Sequence, residues 1–199
     1  MTTARDLAIV ALDVAADKPV EPGTLSLVLA GAEVLDLIAA RALTLDGDRI
    51  VPGASSPTGD RLVDEAASAL VGQEPYETVE DWLWRRGRGL ASAYTEDLER
   101  IGLTARPRGR RIPLRTGRAE LVDSAARREA RERWAADEPR LAALAAAAGL
   151  REEPAPAEEL TEEAVTVLAA VGNAVQELEA VRQRKAIEDA AFDNVWRGY

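Results

Sequence analysis

Neither cysteine nor histidine occurs among the 199 residues. Without cysteine there is no disulfide framework, no thiolate metal ligand and no cysteine nucleophile. Without histidine the commonest general base and the commonest metal ligand are missing, which argues against hydrolase triads and zinc sites. Aromatic residues make up only 4% of the chain, and the only lysines are Lys18 and Lys185. No apolar run approaches the roughly 18–20 residues of a membrane-spanning helix, and the start Met1-Thr2-Thr3-Ala4-Arg5-Asp6 has no signal-peptide pattern. The expectation is a soluble, cytoplasmic, single-domain protein over 1–199, long enough to bury a core without metals or disulfides.

What the chain does have is segregated charge. Its net charge is −10, yet Arg85 to Arg118 holds ten arginines against Glu96, Asp97 and Glu99, a local +7 that leaves −17 elsewhere. The local field, rather than the total, decides which partner docks there.

Taken in order, Thr3 reads as the N-cap of a first helix with Leu7, Val10 and Ala11 on one face. Residues 13–22 read as a loop, and a second helix follows over Gly23–Ala42. Leu43-Thr44-Leu45 and Arg49-Ile50-Val51 form a hairpin around Asp46-Gly47-Asp48, an Asp-Gly turn signal. Pro57-Thr58-Gly59-Asp60 is a tight turn with Asp60 placed to cap the next helix, through Val71. Thr78 caps another, with Asp81 three residues on and Trp82 facing the core. A helix carrying Leu90, Tyr94, Leu98 and Ile101 ends at Gly102.

A second hairpin is expected from Leu103-Thr104-Ala105 back through Arg111-Ile112-Pro113-Leu114, with Arg106, Arg108, Arg110 and Arg111 about its tip. Helices resume over Glu120–Trp134 and Pro139–Ala148, then a Pro/Glu linker precedes a last helix from about Thr161. In that helix Ala164, Leu168, Val171, Val175 and Leu178 keep a core-facing spacing, with a coiled-coil seam as the alternative. The class is mainly α, a compact helical fold with two small β-hairpins.

Two motifs, Pro57-Thr58-Gly59-Asp60-x-Leu62-x-Asp64-Glu65-Ala66 and Glu77-Thr78-Val79-x-x-Trp82, together resemble the Golgi phosphoprotein 3 family, particularly bacterial members of actinobacterial type. Ala4-Arg5-Asp6-Leu7, Leu29-x-Gly31, Gly102-Leu103 and Glu138-Pro139-Arg140-Leu141 add to the likeness, which covers about residues 3–149. The resemblance implies a peripheral membrane protein. Eukaryotic members bind phosphatidylinositol 4-phosphate at the Golgi and recruit glycosyltransferase tails, and their second hairpin engages the bilayer. The family's headgroup pocket uses a tryptophan and three arginines. Carried across by position, these fall on Glu21, Ala30, Arg88 and Ala91, so that only Arg88 keeps its residue type. Arg85 and Arg86 are the neighbouring cations able to supplement it. A phosphate dianion wants several converging donors.

The basic stretch therefore has several readings. As a membrane binder it offers Arg106, Arg108, Arg110, Arg111 and Arg115 to an anionic, phosphoinositide-like phospholipid surface, with Arg88, Arg85 and Arg86 toward a headgroup. Arg118 stands behind the tip. As a surface for a protein client it makes the chain a soluble adaptor. The arginines also suit pairing with the chain's own acids, Glu152 to Glu163 among them. Nucleic acid fits poorly with an acidic chain lacking a helix with an Arg/Asn/Gln face. No enzyme, cofactor or metal is expected, since Gly87-Arg88-Gly89 is too short for a phosphate loop. The last helix leaves a homo-oligomer open.

Overall fold

In the computed structural model, which describes residues 1–14, 20–54, 56–105, 120–152 and 159–197, the chain opens with α1 (Thr3–Val14) and α2 (Pro22–Ala39). The strands β1 (Leu43–Asp46) and β2 (Arg49–Pro52) precede α3 (Arg61–Ser68), α4 (Val79–Arg86) and α5 (Leu90–Arg100). Then come β3 (Thr104–Ala105), β4 (Glu120–Leu121), α6 (Ala125–Ala135), α7 (Pro139–Ala147) and α8 (Glu162–Arg197). The mainly α class with two small antiparallel pairs is as expected.

The helix α2 is the centre because its sequence is apolar on nearly every side, the pattern of a helix covered all round. Ser26 to Leu37 is buried without a break, and α1, α4, α5 and α8 pack against it. It begins at Pro22, a favourable first position, one residue earlier than expected, and ends at Ala39 rather than Ala42. Its length and composition, like those of the 162–189 part of α8, do reach those of a candidate membrane span. That corrects the expectation of no such run. In α2 the apolar surface is spent on the protein core.

Gly31 lets α8 come close: a Cβ there would lie 2.4 Å from Val171 Cγ2. The buried stripe of α8 is Ala164, Val167, Val171 and Ala174, whereas Leu168, Val175 and Leu178 are only partly covered beside it. The helix is thus core-facing as expected, with its stripe rotated from the expected one. Beyond Arg182 the residues through Asp189 are exposed.

The first hairpin has the expected strands, pairing Leu43 with Pro52 and Asp46 with Arg49. It is tied to the segment before α4 by Ile50 N–H donating to Glu77 O (2.9 Å) and Val79 N–H to Asp48 O (2.8 Å). The second pair departs from expectation. Thr104 pairs with Leu121 and Ala105 with Glu120, so β3 is partnered by β4; the expected return through Arg111–Leu114 lies outside the described residues. The helix expected from Glu120 begins at Ala125, where Ser124 Oγ accepts from Arg127 N–H at 3.2 Å. A side chain that caps a free amide fixes the start more firmly than apolar spacing does.

Candidate functional site

The Pro57–Ala66 motif turns out to be a joint. Gly59 supplies a positive φ of 79°. Thr58 then donates to Asp64 Oδ1 from both its N–H and its hydroxyl, each at 2.7 Å. Asp60 caps α3 by accepting from Leu62 N–H at 3.1 Å. Its other oxygen accepts from Thr2 Oγ1 at 2.6 Å and pairs with Arg5 at 3.0 Å. Beside it, Asp36 accepts from the N–H groups of Thr3 (2.8 Å) and Ala4 (2.9 Å). The start of α1 is therefore bolted to α2 and α3 by two buried carboxylates. Thr2 and not Thr3 bounds the helix, its hydroxyl accepting from Arg5 N–H at 3.4 Å.

The second motif is also structural. Thr78 caps α4, its hydroxyl accepting from Asp81 N–H at 3.1 Å. Trp82 is fully buried and donates from Nε1 to Ala30 O at 3.2 Å. Burying about 150–250 Å² of indole at ~25 cal/mol per Å² contributes roughly 4–6 kcal/mol.

The arginines beyond it divide by partner. Arg85 lies over the Trp82 ring at 5.0 Å and binds Glu77 at 2.5 and 3.1 Å. Arg86 forms a fork with Glu33 at 2.7 and 2.8 Å and also donates to Leu62 O at 2.9 Å. Tyr94 donates to the same Glu33 at 3.2 Å. Burial pushes the Glu33 carboxyl up to about 7, with Arg86 and Tyr94 pulling the other way. Asp6 rises to about 6 for the same reason, against the pull of Arg133. Arg61 and Arg100 both bind Asp97, at 2.8 and 2.9 Å. Together they hold that buried carboxyl below its ordinary value despite its burial.

Arg85 and Arg86, expected as headgroup ligands beside Arg88, thus have carboxylate partners within this chain. Pairing with the chain's own acid, one of the readings above, accounts for both.

Arg88 is different. It is exposed and enters no ion pair among the described residues. It lines a hollow of about 320 Å³ at the start of α2, with Gly23, Ser26, Trp84, Ala91 and Leu178. Gly87 lets α4 end close against α2, since a Cβ there would lie 3.3 Å from Leu27 Cδ2 and 3.4 Å from Ser26 O. Gly89, at a φ of 72°, starts α5.

The other positions carried from the family pocket have different work. Glu21 caps α2, accepting from Gly23 and Thr24 N–H, and pairs with Arg182. Ala30 is sealed in the core beneath Trp82. Ala91 donates its N–H to Ser26 Oγ at 3.0 Å. Among the described residues that line the hollow, Arg88 is the one cation. Arg106, Arg108, Arg110, Arg111 and Arg115 lie outside the described residues.

Sequence reading missed a second set of basic clamps. In α6, Arg127 and Arg131 each reach Asp13 at 2.6 Å, and Arg133 binds Asp6 and, at 3.1 Å, Glu138. Arg127 and Arg131, four apart, share a face of α6 while Arg133 lies on another, and no local pattern pairs them with the acids of α1.

The fold and the site define a mainly α-helical protein built on one buried helix, with Arg88 the one arginine of its basic stretch that enters no ion pair among the described residues. The family model of Golgi phosphoprotein 3 (GPP34) matches residues 4–190. This chain belongs to the Golgi phosphoprotein 3 family. The match runs well past residue 149, where the motif likeness stopped, and takes in most of α8. No curated protein matches the chain.

Proposed function

We propose that this protein is a non-enzymatic, peripheral membrane protein of the cytoplasm. It docks reversibly on anionic phospholipid at the inner face of the plasma membrane. The observation that carries the reading is Arg88, an exposed cation on a hollow, left over where its neighbours Arg85 and Arg86 are consumed internally. The sequence adds Arg106, Arg108, Arg110, Arg111 and Arg115 beyond α5. Each basic residue near an anionic leaflet contributes on the order of 1 kcal/mol, enough in sum for reversible docking. The contact is electrostatic and weakens with salt. With Arg88 the one cation lining the hollow among the described residues, selective recognition of a phosphoinositide headgroup forms no part of the proposal.

Co-sedimentation of the full chain with neutral and with anionic vesicles at low salt tests it. Pelleting with the anionic vesicles alone is expected; equal behaviour on the two overturns it. Serine in place of Arg106, Arg108, Arg110 and Arg111 should abolish pelleting, and unchanged pelleting moves the contact elsewhere.

A second reading is a soluble adaptor that grips an acidic protein client through the same exposed Arg88, whose hollow beside Trp84 suits a carboxylate side chain as well as a lipid phosphate. Absence of pelleting on either vesicle supports that reading over the first.

A further inference from the structure

Both α1 and α5 lie on α2, but they face each other across it with small side chains. From α1 come Ala8 and Ala11, and from α5 come Ala91 and Ser92. The space they leave is a cleft of about 380 Å³, floored by Leu25 and Leu29 of α2. That lies within the roughly 300–1,000 Å³ of small-ligand pockets.

Its polarity is one-sided. The α1 wall and the floor are hydrocarbon, while the α5 wall adds Thr95, Glu96 and Glu99. Among the described residues, no arginine or lysine lines it. Glu96 is exposed at the rim and enters no ion pair among the described residues. From this geometry we infer that the cleft between α1 and α5 binds a small amphipathic amine, with its alkyl body over Leu25 and Leu29 and its ammonium group at Glu96.

The charge complementarity decides between amphiphiles. A fatty acid or an anionic headgroup would bring a negative charge beside Glu96, with no cation lining the cleft among the described residues. A primary ammonium ion brings three donors to Thr95 and Glu96 and leaves its hydrocarbon on apolar side chains. The cleft adjoins the hollow that Arg88 lines and shares Pro22, Ala91 and Ser92 with it, but its own ionisable lining is acidic. Amine binding is read without vesicles, so its outcome is distinguishable from that of membrane docking.

Isothermal titration calorimetry of the full chain with octylammonium chloride, sodium octanoate and 1-octanol tests the assignment. Octylammonium should bind saturably at one site, and more tightly than octanoate. Ser92 is exposed, so Ser92→Phe fills the cleft from its rim without entering the core. It should remove binding, by more than about tenfold in affinity, with the circular dichroism spectrum unchanged. Glu96→Gln should weaken octylammonium by about threefold, the scale of an exposed ion pair, and leave octanol unaffected. Octanoate binding as tightly as octylammonium overturns the inference, as does a Glu96→Gln variant with unaltered preference. Octylammonium binding that survives Ser92→Phe shows the amine held by the acidic surface at large and also overturns it. So does the absence of saturable heat.

Discussion

Arg86 meets Glu33 through two parallel hydrogen bonds of 2.7 and 2.8 Å, and the carboxylate end of the pair is fully buried in the middle of α2. A pair so placed is costly to break, because removing one partner strands the other away from water. Replacing Arg86 with methionine should destabilise the protein by about 3–5 kcal/mol, read as a lower denaturation midpoint. Glu33→Gln/Arg86→Met together should cost less than the sum of the single changes; strict additivity would show the two residues are not coupled.

The same pair sets a pH dependence. Glu33 has an ordinary value of 4.5 and is held at about 7 in the fold. A carboxyl raised on folding binds its proton more tightly in the native state, so its contribution is complete below 4.5 and is lost as pH rises toward 7. The stability gap between the native chain and Glu33→Gln should therefore narrow between pH 4.5 and 7, by about 3 kcal/mol at 1.36 kcal/mol per unit. Denaturant titrations at a series of pH values measure it. A gap that widens with pH would mean that Glu33 is ionised throughout.

Asp60 joins Thr2, Arg5 and the Leu62 amide at the start of α3. Asp60→Ala should cost about 2–4 kcal/mol, combining a lost cap with a broken buried ion pair. Hydrogen exchange should show α1 losing protection before α2. Uniform loss across both helices would argue that Asp60 stabilises the whole fold without preference for the α1 joint.

Within the basic stretch the residues should not be equivalent. Arg88→Ser should reduce pelleting with anionic vesicles, while Arg85→Ser should leave it nearly unchanged, because Arg85 is already held by Glu77 and Ala69 O. Equal losses in the two variants would remove the distinction between free and committed arginines.

Gly31 is a contact point between helices. Gly31→Ala should destabilise by about 1–3 kcal/mol, the usual cost of overpacking, through the collision with Val171. Val171→Ala in the same chain should recover part of the loss. Failure of that rescue would place the strain elsewhere than the α2–α8 contact.

Much of this architecture was legible because it rests on local signals. Asp60 and Thr78 cap where spacing put them, Trp82 faces the core, and Asp46-Gly47 turns the first hairpin. What escaped depends on distance in sequence. No local pattern says that Glu33, in an apolar run, waits for Arg86, or that Asp13 will meet Arg127 and Arg131. The partner of β3 escaped for a related reason: Arg111–Leu114 has β-like residues nearer in sequence, while the described pairing goes to Glu120 and Leu121. The candidate site was half legible. The sequence grouped Arg85, Arg86 and Arg88 as neighbours; that Arg85 and Arg86 meet Glu77 and Glu33 while Arg88 stays exposed depends on contacts the local pattern does not carry.

The position of Trp84 has an optical consequence. Its ring lines the hollow beside Arg88, whereas Trp82 is sealed in the core. One indole is thus sensitive to whatever fills that hollow while its near neighbour in sequence is shielded from it. A phenylalanine at Trp82 would leave Trp84 as the emitter of this helix, and a blue shift on adding vesicles would report contact at the Arg88 corner without any label.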